Sequence, residues 1–191
     1  MNSKFYLLTP PTGDFLAELP AVLDAGVDWL QYRREDLSDR AKLEELREVK
    51  RIVSARPVKL FVNDRPDLAL AVEADGVHLG ADDLPPEAVK KQWPNLTVGA
   101  TCRADEELPP AADYYSVGPV FDPFSKELDV DSCGPEGVKK VIAAASRPVF
   151  AIGGLTRKRM EELPAGLAGV AVIDAVWSAD SPPEAVRNFI K

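Results

Sequence analysis

The stretch Lys59–Asp83, KLFVNDRPDLALAVEADGVHLGADD, decides how the chain is read. An apolar run ends in Asn63-Asp64, a helical segment spans Asp67 to Ala74, and a second apolar run, Gly76 to Gly80, leads into Asp82-Asp83. Each run reads as a strand with carboxylates at its C-terminal end. Where parallel strands alternate with helices, those ends share one side of the domain, so Asp64 and Asp83 can meet over one Mg²⁺. Taken alone, Asp64 also suits a turn before Arg65-Pro66, and Asp82 or Asp83 a cap for the helix that begins near Pro85.

Working outward, the alternation continues. Phe5–Thr9 reads as the first strand. Asp14–Ala25 reads as a helix with Phe15, Leu16, Leu19, Val22 and Leu23 at helical spacing, stopped by Gly26. Trp29–Arg33 is the second strand, with Gln31 and Arg33 on one face, and Ser38–Ser54 a long amphipathic helix. After the central stretch come a helix over Pro86–Gln92, a strand over Leu96–Thr101, a turn or two of helix in Arg103–Pro110, and a strand over Tyr114–Val120. A long loop, Phe121–Gly134, precedes a helix over Pro135–Ala145. The remainder reads as a strand over Pro148–Ile152, a short helix over Thr156–Leu163, a strand over Gly169–Ala175 and a closing helix over Pro182–Ile190. Eight strands, each followed by a helical segment, assemble naturally as a compact (β/α)₈ TIM barrel in a single α/β domain, residues 1–191. An open doubly wound sheet usually carries a Gly-rich turn after its first strand, where this chain has Pro10-Pro11-Thr12-Gly13.

Composition narrows the function. A net charge of −8 argues against nucleic acid or an anionic membrane as partner, and no apolar run has the length of a span. The expectation is a cytoplasmic protein acting on small molecules. One histidine, His78, rules out a two-histidine zinc motif, and it reads as a hydrogen-bonded core residue. Two cysteines, Cys102 and Cys133, are too few for a Cys₄ metal cluster.

In the barrel, the strand ends converge on one mouth. They bring Gln31, Arg33, Asn63, Asp64, Asp83, Thr101, the loop residues Ser125 and Lys126, Gly153-Gly154 and Ile173-Asp174 to the same side. Arg33, Lys126 and Asn63 suit phosphate oxygens, and Asp64 with Asp83 suits a Mg²⁺ that bridges a diphosphate. Gly153-Gly154 ahead of a helix at Thr156 suits a second anion.

QYRREDL, FVND, DGVHLGADDLP, VGATC, YYSVGPVFDPFSK, FAIGGL and GVAVIDAV, in this order, resemble the thiamine phosphate synthase/TenI family along nearly the whole chain. The resemblance implies a TIM barrel that joins hydroxymethylpyrimidine diphosphate to a thiazole phosphate, releasing pyrophosphate. It implies Asp64 and Asp83 as Mg²⁺ ligands, and Arg33, Asn63 and Lys126, beside Ser125, as the groups on the diphosphate. By the same resemblance Gln31 and Thr101 match positions near the pyrimidine, Thr101 standing where the family usually has Ser. Gly154 and the backbone at Ile173-Asp174 match the thiazole phosphate cradle. Arg33, Thr101 and Lys126 are the residues expected to act on the reacting centre, by electrostatics and positioning.

The chain departs from that pattern in one direction. Glu35 replaces a lysine, leaving Arg34 as a substitute cation. Ala81 replaces a glutamine, Asp122-Pro123 stand before Phe124-Ser125 where the loop usually carries threonines, and Asp174 replaces a serine. Each change weakens anion binding. They motivate two further readings, a non-catalytic binder of thiazole-like ligands and a thiazole tautomerase. The latter lacks the usual histidine, because Pro119 follows Gly118, and would need Cys102 or Asp122 as its acid or base. A homo-oligomer in which a second copy supplies a cation is left open.

Overall fold

The computed structural model describes residues 3–122 and 131–191. Its strands are β1 (Lys4–Leu8), β2 (Trp29–Tyr32), β3 (Lys59–Asn63), β4 (Gly76–Leu79), β5 (Thr97–Cys102), β6 (Tyr114–Val117), β7 (Val149–Ile152) and β8 (Gly169–Val172). All eight pair in parallel in sequence order, and β8 returns to β1 through Lys4 opposite Gly169 and Leu7 opposite Val172, so the sheet closes into a barrel. The expected (β/α)₈ architecture is therefore the observed one.

Side-chain alternation along each strand divides the apolar residues between two compartments. In β1, Phe5 and Leu7 face outward with Leu30, Val62, Val77 and Val98, where the helices cover them. Tyr6 and Leu8 face inward and pack with Phe61, Tyr114, Phe150 and Ala171. This inner plug is mostly aromatic, with Tyr6 edge-on to Phe61 and Phe150 at ring separations of 5.6 Å. A filled interior leaves the strand ends as the place where polar groups can gather.

The helices are α1 (Leu19–Asp24), α2 (Asp39–Val53), α3 (Pro66–Ala71), α4 (Pro86–Gln92), α5 (Gly134–Ala144), α6 (Asp174–Trp177) and α7 (Pro182–Ile190). Ser38 caps α2 by accepting from the Ala41 N–H, and Pro66 and Pro86 occupy first turns, where a missing N–H costs nothing.

Several expectations are corrected. Helix α1 starts at Leu19 rather than Asp14, because Pro20 fits only a first turn and residues 16–18 form a turn instead. Helix α3 stops at Ala71, three residues short. The segment 103–110 contains turns but no helix, and β6 ends at Val117, ahead of Pro119. Strand β8 ends at Val172, and Asp174–Trp177 is a helical turn rather than strand. After β7 only a 3₁₀ turn, Arg159–Glu162, is formed. Missing or shortened crossover helices explain how 191 residues close a barrel that typically takes 200 or more. Among the described residues, no helix is long and apolar enough to cross a membrane.

Candidate active site

Strands β2 to β5 end around a cavity of about 330 Å³ lined by Arg33, Asn63, Asp64, His78, Asp83 and Thr101, together with the Gly80–Asp82 turn. Five of the residues singled out from sequence, Arg33, Asn63, Asp64, Asp83 and Thr101, are thus brought together.

Asp64 sits just past β3 with φ 61°, a left-handed conformation uncommon outside glycine, asparagine and aspartate. Its N–H donates to the His78 carbonyl at 2.8 Å, which ties the end of β3 to β4 and holds the bend. Such a bend at a strand end is the kind of backbone cost found at functional sites. Asp83 is aimed by a local turn, its Oδ2 accepting from the Gly80 N–H at 2.7 Å. The two carboxyl groups are near enough for a protonated Asp64 to hydrogen-bond to Asp83. Crowding by surrounding protein, that hydrogen bond and the Asp83 charge push Asp64 up to about 7, against a smaller opposing pull from Arg33. Asp64 keeps exposed surface at the rim, so a cation bound between the two would relieve the charge repulsion directly.

Asn63 donates to Asp64 Oδ2 at 2.6 Å. Arg33 is held at its backbone by Thr9, whose hydroxyl accepts from the Arg33 N–H and donates to the Arg33 carbonyl, both at 2.8 Å. Its guanidinium Nη2 meets Glu35 Oε1 at 2.6 Å, while its Nε is buried with no hydrogen-bond partner among the described residues. A planar cation with an unused donor beside two carboxylates fits an oxyanion that arrives together with a metal.

Arg34, the substitute cation considered from sequence, is not at the mouth. It is almost fully buried, paired with Glu45 at 3.1 Å and Asp36 at 3.5 Å, and donates to the Gly13 carbonyl. It braces the β2–α2 connection.

The opposite half of the mouth is built differently. Gly153 and Gly154 have φ 97° and 62°, and a Cβ at Gly154 would collide with the carbonyls of Phe121 and Asp122. Arg159 packs over the Phe121 ring and donates to the Gly154 carbonyl at 2.7 Å and the Asp122 carbonyl at 3.3 Å. The expected helix N-terminus at Thr156 is replaced by a hydroxyl-braced turn, Thr156 Oγ1 accepting from the Arg159 N–H at 3.2 Å. Asp174 opens α6 and lines an outer groove with Thr156 and Arg157, separate from the Arg33 cavity. Ile173 packs against the inner core at the start of the same turn. Ser125, Lys126 and Pro123 lie outside the described residues.

Gln31 is buried below the mouth, donating to the Tyr6 hydroxyl at 2.8 Å. His78, read as a core residue, does hydrogen-bond inside the barrel but also lines the cavity. Burial lowers it to about 4, so it is neutral. Sequence reasoning missed Tyr6 and Tyr114, hidden in apolar runs, and Arg159, whose only signal was a cation shortly after the glycine pair.

Fold and mouth together define a (β/α)₈ barrel with an acidic pair and an arginine at the C-terminal ends of its strands. A family model described as thiamine monophosphate synthase matches residues 5–176, and the chain belongs to that family. The thiamine-phosphate synthase of Archaeoglobus fulgidus is 38% identical over 94% of this chain and 86% of its own length. That of Methanococcus maripaludis is 35% identical over 98% of this chain and 97% of its own. A solved thiamine phosphate pyrophosphorylase from Pyrococcus furiosus superposes with a TM-score of 0.90 at 32% identity, covering 98% of this chain and 94% of that one. Phosphoribosyl anthranilate isomerase from Thermus thermophilus, at 15% identity and a TM-score of 0.66, shares the fold alone.

Proposed function

We propose that the chain is a transferase that joins hydroxymethylpyrimidine diphosphate to thiazole phosphate, releasing pyrophosphate and forming thiamine phosphate. Family membership supports the reaction, and the meeting of Asp64, Asp83 and Arg33 in one cavity at the strand ends is the observation that carries it.

Mg²⁺ fits these residues. Among the described residues no cluster of three or more His, Cys, Asp or Glu side chains is arranged to cage a metal. Two carboxylates in an open cavity suit an ion that keeps waters and takes its remaining ligands from substrate phosphates. Asp64 and Asp83 are the residues that would hold it, and when bound it supplies positive charge to the diphosphate oxygens.

The residues of the chain do the rest. Arg33 releases Glu35 and turns its fork to the diphosphate, and the Asn63 amide donates beside it. Lys126 is proposed as a further cation there, with Ser125 beside it. The bond between the pyrimidine methylene and the diphosphate oxygen breaks, its electron pair leaving with pyrophosphate. The thiazole nitrogen lone pair then forms the new C–N bond. Thr101 and Gln31 orient the pyrimidine, and Gly154 with the backbone at Ile173-Asp174 receives the thiazole phosphate. This scheme asks for charge stabilisation and alignment rather than a protein nucleophile.

The tautomerase reading loses a candidate here, since burial pushes the Cys102 thiol up to about 12 and its Sγ lies 3.5 Å from the Ser116 carbonyl, to which it donates. The Arg33–Glu35 contact favours a second reading, a non-catalytic binder in which the diphosphate site has closed on itself. Incubating the protein with both substrates and Mg²⁺, and following thiamine phosphate by mass spectrometry, separates them. The transferase reading expects product at an enzymatic rate, and a folded protein that returns both substrates intact contradicts it. The proposed setting is the cytoplasm, where free thiols such as Cys102 and Cys133 persist, with small phosphorylated substrates as partners.

A further inference from the structure

Beneath the mouth, five side chains from five different strands join end to end. Gln31 Nε2 donates to the Tyr6 hydroxyl at 2.8 Å, the Tyr6 and Tyr114 hydroxyls meet at 2.9 Å, Tyr114 meets His78 Nδ1 at 3.1 Å, and His78 Nε2 meets Thr101 Oγ1 at 3.1 Å. Tyr6, Tyr114 and Gln31 are at most 2% exposed and His78 6%. The Tyr114 phenol reaches His78 because Gly99 has no side chain, since a Cβ there would collide with the Tyr114 ring and hydroxyl. His78 and Tyr114 stack at 28° between rings.

A chain of this kind has a direction, because each link holds one proton and neutral imidazole brings only one. With Gln31 donating to Tyr6, the Tyr6 proton goes to Tyr114 and the Tyr114 proton to His78 Nδ1. His78 Nε2–H then donates to Thr101, and the Thr101 proton is free for the cavity. Reversing every proton turns the Gln31 amide round and makes Thr101 an acceptor. In either direction the two ends of the chain, the far side of the Gln31 amide and the Thr101 hydroxyl, have opposite character. Giving both ends the same character strands a buried tyrosine proton or sets two oxygens together with none between, which a buried network does not tolerate.

We infer that Tyr6, Tyr114 and His78 are positioning residues that couple Gln31 to Thr101, so that the pocket recognises a ligand offering a hydrogen-bond donor beside an acceptor. An aminopyrimidine, with an exocyclic amine next to a ring nitrogen, has that pairing. Only this choice of ligand rests on the transferase reading, and the coupling itself rests on the barrel interior. In the direction drawn, Gln31 Oε1 takes the amine and the Thr101 hydroxyl gives to the ring nitrogen. None of the three linking residues needs to touch the ligand.

The test reads the chain in two ways. His78 is the only histidine, so ¹⁵N-histidine NMR of untagged protein reports its state without assignment. The expected result at neutral pH is a single neutral tautomer with the proton on Nε2, and an imidazolium or an averaged pair of tautomers overturns the fixed direction. Binding of 4-amino-5-hydroxymethyl-2-methylpyrimidine and of its analogue without the amine is then measured for the wild type, Tyr114→Phe and Tyr6→Phe, with Mg²⁺-pyrophosphate as the control ligand. The wild type is expected to prefer the amine at least tenfold. Each variant is expected to lose most of that preference while holding pyrophosphate within about twofold, a split that general loosening of the core would not produce. Wild-type protein indifferent to the amine, or folded variants that keep the preference, overturn the inference. Wild type that binds the aminopyrimidine yet makes no product contradicts the transferase reading and leaves the coupling standing.

Discussion

The two halves of the mouth are built in opposite ways. On the β2–β5 side, side chains fixed by strand register stand close enough to conflict, with Asp64 against Asp83 and Arg33 drawn off by Glu35. On the β7–β8 side the groups are backbone, made approachable by Gly153 and Gly154, and Arg159 and Phe121 already rest there. The first half stores repulsion that a bound cation would relieve, and the second offers backbone whose neighbouring cation, Arg159, is already engaged with the Gly154 and Asp122 carbonyls. Selectivity for a metal-bound diphosphate should therefore live on the first half, and a separate phosphate should depend only gently on the second.

The largest effect that could break this contrast is at the acidic pair. Asp64→Ala with Asp83→Ala is expected to reduce turnover by about a thousandfold or more, on the scale of losing a main electrostatic clamp, with the barrel intact by circular dichroism. A double variant turning over at the wild-type rate removes the first half from the chemistry. Arg159→Ala tests the second half. Losing its carbonyl contacts should cost about 1 kcal/mol of stability in a denaturant melt and raise KM for thiazole phosphate less than tenfold, with pyrophosphate affinity unchanged. Smaller again is Glu35→Gln, which frees Arg33 from an exposed ion pair of about 0.2–1 kcal/mol. Pyrophosphate should bind about two- to fivefold more tightly in a Mg²⁺ titration.

The acidic pair also sets a pH dependence. Asp64, raised to about 7 when folded, holds a proton that the unfolded chain has already released above its ordinary value near 3.8. Metal-free protein should therefore lose stability as pH rises through that window, and Mg²⁺ should raise Tm more at pH 8 than at pH 6. Thermal melts at the two pH values check the sign.

Much of this was legible in the sequence, because the fold places strand ends by rule. Asn63-Asp64 and Asp83 follow short apolar runs, and once the strands are parallel their meeting follows from topology. GVAVIDAV misled for the converse reason. It is apolar apart from Asp174, and one polar residue in so short a run does not let periodicity show that β8 stops at Val172 and a helical turn begins at Asp174. Pro20 marked where α1 could begin but was absorbed into a longer helical pattern. The Tyr6–Tyr114 contact joins residues 108 positions apart inside apolar strands, where nothing local marks the hydroxyls as polar partners. Arg34 reads as a free cation beside Arg33, and only its contacts with Glu45, Asp36 and Gly13 reveal a brace.

The most direct measurement is calorimetric titration of the wild-type protein with pyrophosphate at pH 8, with Mg²⁺ and with the metal chelated. The account predicts binding with Mg²⁺ and at least tenfold weaker binding without it, because Asp64 and Asp83 repel the unescorted anion. Equal affinity in both conditions would contradict the claim that this acidic pair is what makes the mouth a diphosphate site.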